Sequence, residues 1–146
     1  MKAALPRLAL CGNVFPSDTQ GAVFSALEGP VTDWAQALRA RGMGPRPGFG
    51  LYLSARAAEE MGASPARRKR LKEALERAGV EVWTANAFPF GGFHDTRVKE
   101  RAFLPDWRSA ERLAYSLQVA GILAFLMEPG SQGCLSTCPL GFGPDA

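Results

Sequence analysis

The sequence is poor in the residues from which metal sites and disulfide frameworks are built. It has one histidine, His94, and three cysteines. An odd number of cysteines, in a chain for which we predict no secretory leader, argues against a disulfide framework. We expect Cys134 and Cys138, which fall on one predicted strand, to be small apolar core residues. A metal site would need carboxylates beside His94, and the acidic residues show no spacing typical of metal ligands.

Long hydrophobic runs and nucleotide-binding motifs are also missing. No apolar run reaches the roughly 18 residues that a membrane span needs. We therefore predict no membrane span and a cytoplasmic location. The sequence contains no G-x-G-x-x-G after a strand, no G-x-x-x-x-G-K-[ST] loop and no G-x-S-x-G elbow. These absences give little support to a nucleotide-binding protein or to a hydrolase with a serine elbow.

Positive charge is in mild excess, with a formal net charge of +3. A nucleic-acid-binding protein usually shows a concentrated basic face. We interpret the one basic cluster of this sequence as a solvated helix face and expect no nucleic-acid partner, with phosphate binding as the weaker alternative. The cluster consists of Arg67, Arg68, Lys69, Arg70 and Lys72.

Four short apolar runs alternate with segments of helical spacing. The predicted strands are residues 8–13, 49–53, 80–86 and 134–138. This alternation predicts an α/β fold with a parallel sheet. Two architectures fit: an open doubly wound sheet, or the N-terminal half of a (β/α)8 TIM barrel, with four parallel strands and three crossover helical segments. In the second case residues 1–146 form one domain whose barrel is incomplete.

Local signals set the expected helix boundaries. Ser64 followed by Pro65 predicts a helix start, and Gly79 predicts its end. The Gly29-Pro30 pair predicts a break in the first helical segment. We expect Asp106 to cap the last helix, whose apolar stripe should face the core. The stripe consists of Ala110, Leu113, Ala114, Leu117, Ala120, Gly121 and Ala124.

Polar residues accumulate after the predicted strands, at the edge of the sheet where ligands bind in both architectures. His94 is the candidate catalytic residue and metal ligand, because an imidazole moves protons near neutral pH and binds divalent metals. A loop histidine bonded to a neighbour, and surface cations balanced by nearby carboxylates, stay open as alternatives. The candidate substrate-binding residues are Asn13, Arg56, Asn86, Arg97 and Lys99.

Five blocks of sequence carry a resemblance to a known family. In chain order they read L-S-A-R-A-A-E-E (53–60), N-A-F-P-F-G-G-F-H (86–94), R-V-K-E (97–100), L-P-D-W-R (104–108) and S-T-C-P-L-G-F (136–142). Together they resemble the EboE-type metabolite traffic proteins. That family belongs to the xylose isomerase-like TIM-barrel group, alongside sugar-phosphate isomerases and epimerases. The blocks run through nearly the whole chain.

The resemblance implies a (β/α)8 barrel that handles a small metabolite, with a divalent metal at the carboxyl ends of its strands. It places His94 after the third strand and the other metal ligands on later strands, which lie outside these 146 residues. The implied chemistry is isomerase- or epimerase-like proton transfer next to a carbonyl. We expect this chain alone to be inactive, because half of such a site would be missing.

The alternative is a complete small flavodoxin-like domain that binds a ligand or signals without catalysis. The two hypotheses differ in what surrounds the sheet. A half-barrel exposes both sheet edges, so we also expect self-association through those edges.

Overall fold

The computed structural model describes residues 8–92 and 99–141, and its centre is a sheet of four parallel strands. The strand order is the chain order, with each strand beside the next. This arrangement confirms an α/β fold with a four-stranded parallel sheet. The strands are β1 (Ala9–Cys11), β2 (Gly48–Tyr52), β3 (Glu81–Asn86) and β4 (Cys134–Ser136).

Helices occupy each connection between the strands. Two helices lie between β1 and β2, two lie between β2 and β3, and one lies between β3 and β4. Short 3-10 turns follow β1 at Gly12–Val14 and interrupt the long loop at Lys99–Phe103. The helices are α1 (Gln20–Ala26), α2 (Thr32–Ala40), α3 (Ala55–Gly62), α4 (Pro65–Ala78) and α5 (Ala110–Leu126).

The helix that begins at Pro65 has the boundaries that its sequence predicts. The Ser64 side chain accepts a hydrogen bond from the backbone N–H of Arg67, which is the usual role of a serine at this position. Gly79 ends the helix with φ 72, a left-handed conformation that glycine adopts without steric cost. Both boundaries are set by neighbours in the chain, and both predictions are confirmed.

The expected break at Gly29-Pro30 is wrong. The chain instead continues from α1 to α2 through a π-helical turn, Leu27–Val31, which contains Pro30. A proline removes one N–H and crowds the carbonyl four residues earlier, and the wider turn accommodates both effects. The Thr32 hydroxyl donates to the Leu27 carbonyl at 2.6 Å, which satisfies an acceptor of the widened turn.

The two faces of the sheet differ. One face, here called the covered face, carries Leu10, Phe49, Leu51, Ala85 and Leu135, which share a single hydrophobic core with all five helices. The other, here called the open face, presents small or polar residues at the alternate positions. They are Cys11, Gly50, Tyr52, Thr84, Asn86, Cys134 and Ser136, of which Gly50 and Tyr52 on β2 are buried. Among the described residues, the hydrophobic cluster that includes the helices therefore lies on the covered face.

The expected orientation of the last helix is wrong. Leu113 and Leu117 are 50% and 62% exposed, whereas Tyr115, Val119 and Ile122 are buried. Because α5 is apolar on nearly every side, hydrophobic spacing alone could not select the face that meets the core. The helix begins later than expected, with Ser109 rather than Asp106 as its cap.

The cysteines also depart from expectation. Only Cys138 is buried, while Cys11 and Cys134 are exposed on the open face. β4 ends at Ser136, so Cys138 follows the strand, and its carbonyl accepts a hydrogen bond from the Trp107 indole at 3.2 Å. The prediction of core packing is therefore confirmed for Cys138 and wrong for Cys134.

Candidate functional site

Three polar side chains form a hydrogen-bonded row across the carboxyl ends of the strands. The Asn86 amide nitrogen donates to the Asn13 side-chain oxygen at 2.7 Å. The Asn86 side-chain oxygen accepts a hydrogen bond from the Ser136 hydroxyl. This polar row, Asn13–Asn86–Ser136, joins the segments at the ends of β1, β3 and β4. The Cys11 sulfur lies 3.6 Å from the same Asn86 nitrogen.

A close approach between two backbones brings Asn13 to this row. Gly12 begins the 3-10 turn after β1 and lies directly against β2. A Cβ atom at Gly12 would stand 2.6 Å from the Gly50 carbonyl oxygen, which is closer than real Cβ contacts come. Glycine at position 12 therefore allows the turn to fold over the sheet, and the turn carries Asn13 to the open face.

The loops after the first three strands are bonded to one another around Ser54. The Ser54 hydroxyl donates to the Asp18 carbonyl at 3.1 Å, and its backbone N–H donates to the Ser17 carbonyl at 3.3 Å. The backbone N–H of Ala55 donates to the Phe90 carbonyl at 2.7 Å. These bonds fix the rim of the sheet at the end where the polar row lies.

The two tyrosines of the chain meet the loop after β3. Tyr52 donates to the Gly91 carbonyl at 3.0 Å, and Tyr115 donates to the carbonyls of Leu53 and Pro89, the second at 3.2 Å. Burial raises the pKa of both hydroxyls well above the usual range, and the charge of Asp18 raises the pKa of Tyr52 further. Both side chains therefore act as neutral hydrogen-bond donors.

Arg112 is fully buried at the inner end of the same loop. Its Nε donates to the Pro105 carbonyl at 2.7 Å and its Nη1 to the Ala87 carbonyl at 2.6 Å. The guanidinium lies 5.3 Å from the centre of the Tyr115 ring and 5.7 Å from that of Phe90. Arg112 thus ties both ends of the long loop to α5.

The sequence reasoning missed the roles of Arg112 and Tyr115. The one available signal was a charged residue within an otherwise apolar helix, which is costly to bury unless its donors are used. Nothing in the spacing indicated that the donors would find loop carbonyls, because those partners lie 7 and 25 positions away in the chain.

The structure brings some of the predicted site residues together and separates others. Asn13 and Asn86 are hydrogen-bonded partners, as described above. Arg56 lies on α3, where its Nε donates to Glu60 at 3.0 Å. Lys99 begins a 3-10 turn. His94 and Arg97 lie outside the described residues, so the roles predicted for them stay predictions.

Glu60, which was not a predicted site residue, joins two helices. Its carboxylate accepts a hydrogen bond from the Gln20 backbone N–H at 2.7 Å, at the start of α1. That bond, followed by the bond from Arg56, lowers the pKa of Glu60. Arg56 is thus part of a structural contact between α3 and the first turn of α1.

The basic cluster on α4 is largely engaged by the chain itself. Arg67 donates to the Glu60 carbonyl at 2.9 Å, and Lys69 lies 3.8 Å from Glu73. The Arg68 and Arg70 guanidiniums lie over the rings of Phe125 and Phe24, respectively. These contacts give the cluster a role in covering the helix layer.

Within residues 8–92 and 99–141, no group of three or more His, Cys, Asp and Glu side chains is placed to hold a metal ion. The described helices include none that is both long enough and apolar enough to cross a membrane.

Comparisons with known proteins do not extend this description. No protein-family model, no curated protein and no solved structure matched the chain.

Proposed function

We propose that this chain forms one half of a (β/α)8-type barrel whose open face binds a small polar metabolite. The observation that carries the proposal is the polar row Asn13–Asn86–Ser136, which lies at the carboxyl ends of parallel strands on the side without helices. In barrels of this kind ligands bind at that end of the strands. The EboE-like sequence blocks support the same assignment.

The strand order supports a barrel over a doubly wound sheet. A flavodoxin-like sheet has the order 2-1-3-4-5, with helices on both faces. Here the order is 1-2-3-4, and the five helices share one core with the covered face. Successive parallel strands added in one direction, with helices on one side, are the building plan of a barrel.

The chemistry of the polar row favours a ligand with hydroxyl or carbonyl groups. Two amides and a hydroxyl offer both donors and acceptors without a formal charge. Asn13 and Asn86 are half-buried and Ser136 is exposed, so a ligand can reach the row from the open face. Such a set of groups orients a neutral polar molecule, or the uncharged part of a charged one.

Catalysis by a completed barrel is a further part of the proposal. Among the described residues no group of side chains is placed to hold a metal ion. The family resemblance favours isomerase- or epimerase-like chemistry in which His94 takes part and other strands supply the remaining groups. On this account the chain alone binds ligand weakly and has no turnover.

A titration with a panel of four- to six-carbon sugars and sugar phosphates tests the proposal. We expect millimolar binding that shifts the side-chain amide NMR signals of Asn13 and Asn86. Asn86→Leu should remove the shifts, because it eliminates the central member of the row. Gln132→Leu is the matched control, since Gln132 is an exposed amide preceding β4, at the opposite end of the strand.

Two results would contradict the proposal. Shifts that survive in folded Asn86→Leu and Ser136→Ala variants would place the ligand elsewhere. Turnover of any sugar phosphate by the purified 146-residue chain would show that no other half is needed.

A further inference from the structure

The backbone that leads from β3 into the long loop is held from two sides at Ala87. This residue follows Asn86, the central member of the polar row, and it is fully buried. Its backbone N–H donates to the Ser136 carbonyl at 2.9 Å. Its own carbonyl accepts a hydrogen bond from the Arg112 guanidinium at 2.6 Å. The two bonds therefore fix the course of the chain immediately after Asn86.

The Ala87 backbone and the polar row share a partner in Ser136. The Ser136 carbonyl accepts the bond from Ala87, and the Ser136 hydroxyl donates to the Asn86 side chain. Asn86 and Ser136 are also register partners in the sheet. The Asn86 amide nitrogen in turn donates to Asn13. A displacement of Ala87 would therefore alter the geometry of the whole row, because one short segment carries all of these bonds.

Arg112 holds this segment from a fixed position. Its backbone carbonyl accepts a hydrogen bond from the Ser116 hydroxyl at 2.8 Å within α5, and its side chain is fully buried. A side chain that is fixed by packing holds a neighbouring group more precisely than a mobile one does. Because a buried charge is costly when its donors are unused, the guanidinium favours the backbone conformation that points the Ala87 and Pro105 carbonyls toward it.

We propose that Arg112 is a positioning residue for the polar row, and that it holds Ala87 so that Asn86 and Ser136 keep the geometry that a ligand meets. For the ligand the inference rests on the proposed function, whereas the arrangement of the row is measurable without a ligand. Arg112 acts through Ala87, since its guanidinium is fully buried behind the row. Its second bond, to Pro105 at the far end of the long loop, couples the loop to the row.

NMR spectroscopy of the ligand-free chain tests the proposal at the row itself. Arg112→Met keeps the apolar stem and removes the donors to Ala87 and Pro105. The side-chain amide signals of Asn86 should shift. Exchange of the Ala87 amide with solvent should become faster on the order of 10-fold, relative to the amides of β2. A general loss of stability would instead accelerate both sets of amides alike.

Tyr115→Phe is the matched control. Tyr115 lies about one turn further along α5, and its hydroxyl donates to the Pro89 carbonyl of the same loop. The substitution loosens the loop without releasing Ala87, so the Asn86 signals should stay as in the wild type. Arg112→Lys keeps the charge but has one nitrogen for two carbonyls, and it should shift the Asn86 signals part of the way.

Titration of the same variants with the panel of sugars and sugar phosphates adds the ligand. Binding should weaken on the order of 10-fold in Arg112→Met and stay unchanged in Tyr115→Phe. If the wild type binds no member of the panel, the proposed function fails, and the ligand-free signals still decide the role of Arg112. Unchanged Asn86 signals in folded Arg112→Met or Arg112→Lys, or an equal shift in Tyr115→Phe, would overturn the positioning role.

Discussion

The two faces of the sheet are built from the same four strands and differ in nearly everything else. Phe49, Leu51 and Ala85 on the covered face are fully buried against helices. On the open face Cys11, Cys134 and Ser136 are exposed and Thr84 and Asn86 are half-buried, while Gly50 and Tyr52 on β2 are buried. A parallel sheet is normally covered on both faces, and this contrast is the basis of the proposal that the open face binds a ligand.

If the proposed function is right, the contrast also separates the residues that stabilise the fold from those that bind the ligand. The covered face supplies the apolar burial that stabilises the fold. Truncating any of its buried side chains should therefore lower the free energy of unfolding. The open face carries the hydrogen-bonded polar row, whose side chains are half-buried or exposed. Substitutions on the two faces should therefore have different consequences, and the following predictions run from the largest expected effect to the smallest.

The largest difference is expected between Leu51→Ala and Thr84→Ala. Leu51 is 1% exposed in the core, so its truncation should lower the free energy of unfolding by about 2–5 kcal/mol. Thr84 is half-buried on the open face, and its truncation should cost less than about 1 kcal/mol. Urea unfolding of both variants measures the difference. Equal losses would mean that the two faces are buried alike.

The pH dependence of stability tests one residue from each side of the sheet. Tyr52 lies on the open face, and Tyr115 lies on a helix that packs against the covered face. Both have a raised pKa in the folded chain. The unfolded chain loses these protons near pH 10 and the folded chain does not. Stability is therefore fully present below pH 10 and falls above it, by about 1.4 kcal/mol per pH unit for each tyrosine.

Absorbance at 295 nm measures this effect directly. The native protein should show no tyrosinate between pH 9.5 and 11, whereas the urea-unfolded protein should titrate near pH 10. Tyr52→Phe and Tyr115→Phe should each flatten the stability profile above pH 10. A native titration at the ordinary pKa of tyrosine would show that the loop after β3 does not enclose these hydroxyls.

A smaller loss of stability is expected from a substitution at Arg112. This residue joins α5, on the covered side, to the long loop after β3. Arg112→Met keeps the apolar stem and removes the donors to Ala87 and Pro105. The buried Ala87 carbonyl and the partly buried Pro105 carbonyl then lose a donor, and the cost should be about 1–3 kcal/mol. Hydrogen exchange should speed up in the loop more than in β2. Uniform acceleration would indicate a general loss of stability.

Parts of this architecture could be predicted from sequence because their causes are local. A serine cap and a glycine end define α4, and alternation of apolar runs with helical segments indicated the four parallel strands. The same local pattern predicted that Asn13 and Asn86 lie at the carboxyl ends of strands. Their hydrogen bond could not be predicted, because it depends on the register between β1, β2 and β3.

Other parts could not be predicted because tertiary contacts decide them. The π-helical turn at Leu27–Val31 accommodates Pro30, although the local sequence predicts that this proline ends the helix. The orientation of α5 is undetermined in a sequence that is apolar on every side. The burial of Arg112 also depends on tertiary contacts, because its two hydrogen-bonded carbonyls come from distant positions in the chain.

Thiol labelling tests the difference between the two faces most directly. Cys11 and Cys134 are exposed on the open face, and Cys138 is buried beyond β4. With a small thiol reagent and mass-spectrometric identification, we predict rapid modification of Cys11 and Cys134 in the native protein. Cys138 should react only on unfolding. Protection of Cys11 and Cys134 in the native state would show that the open face is covered. This result would contradict the proposal that the open face binds the ligand.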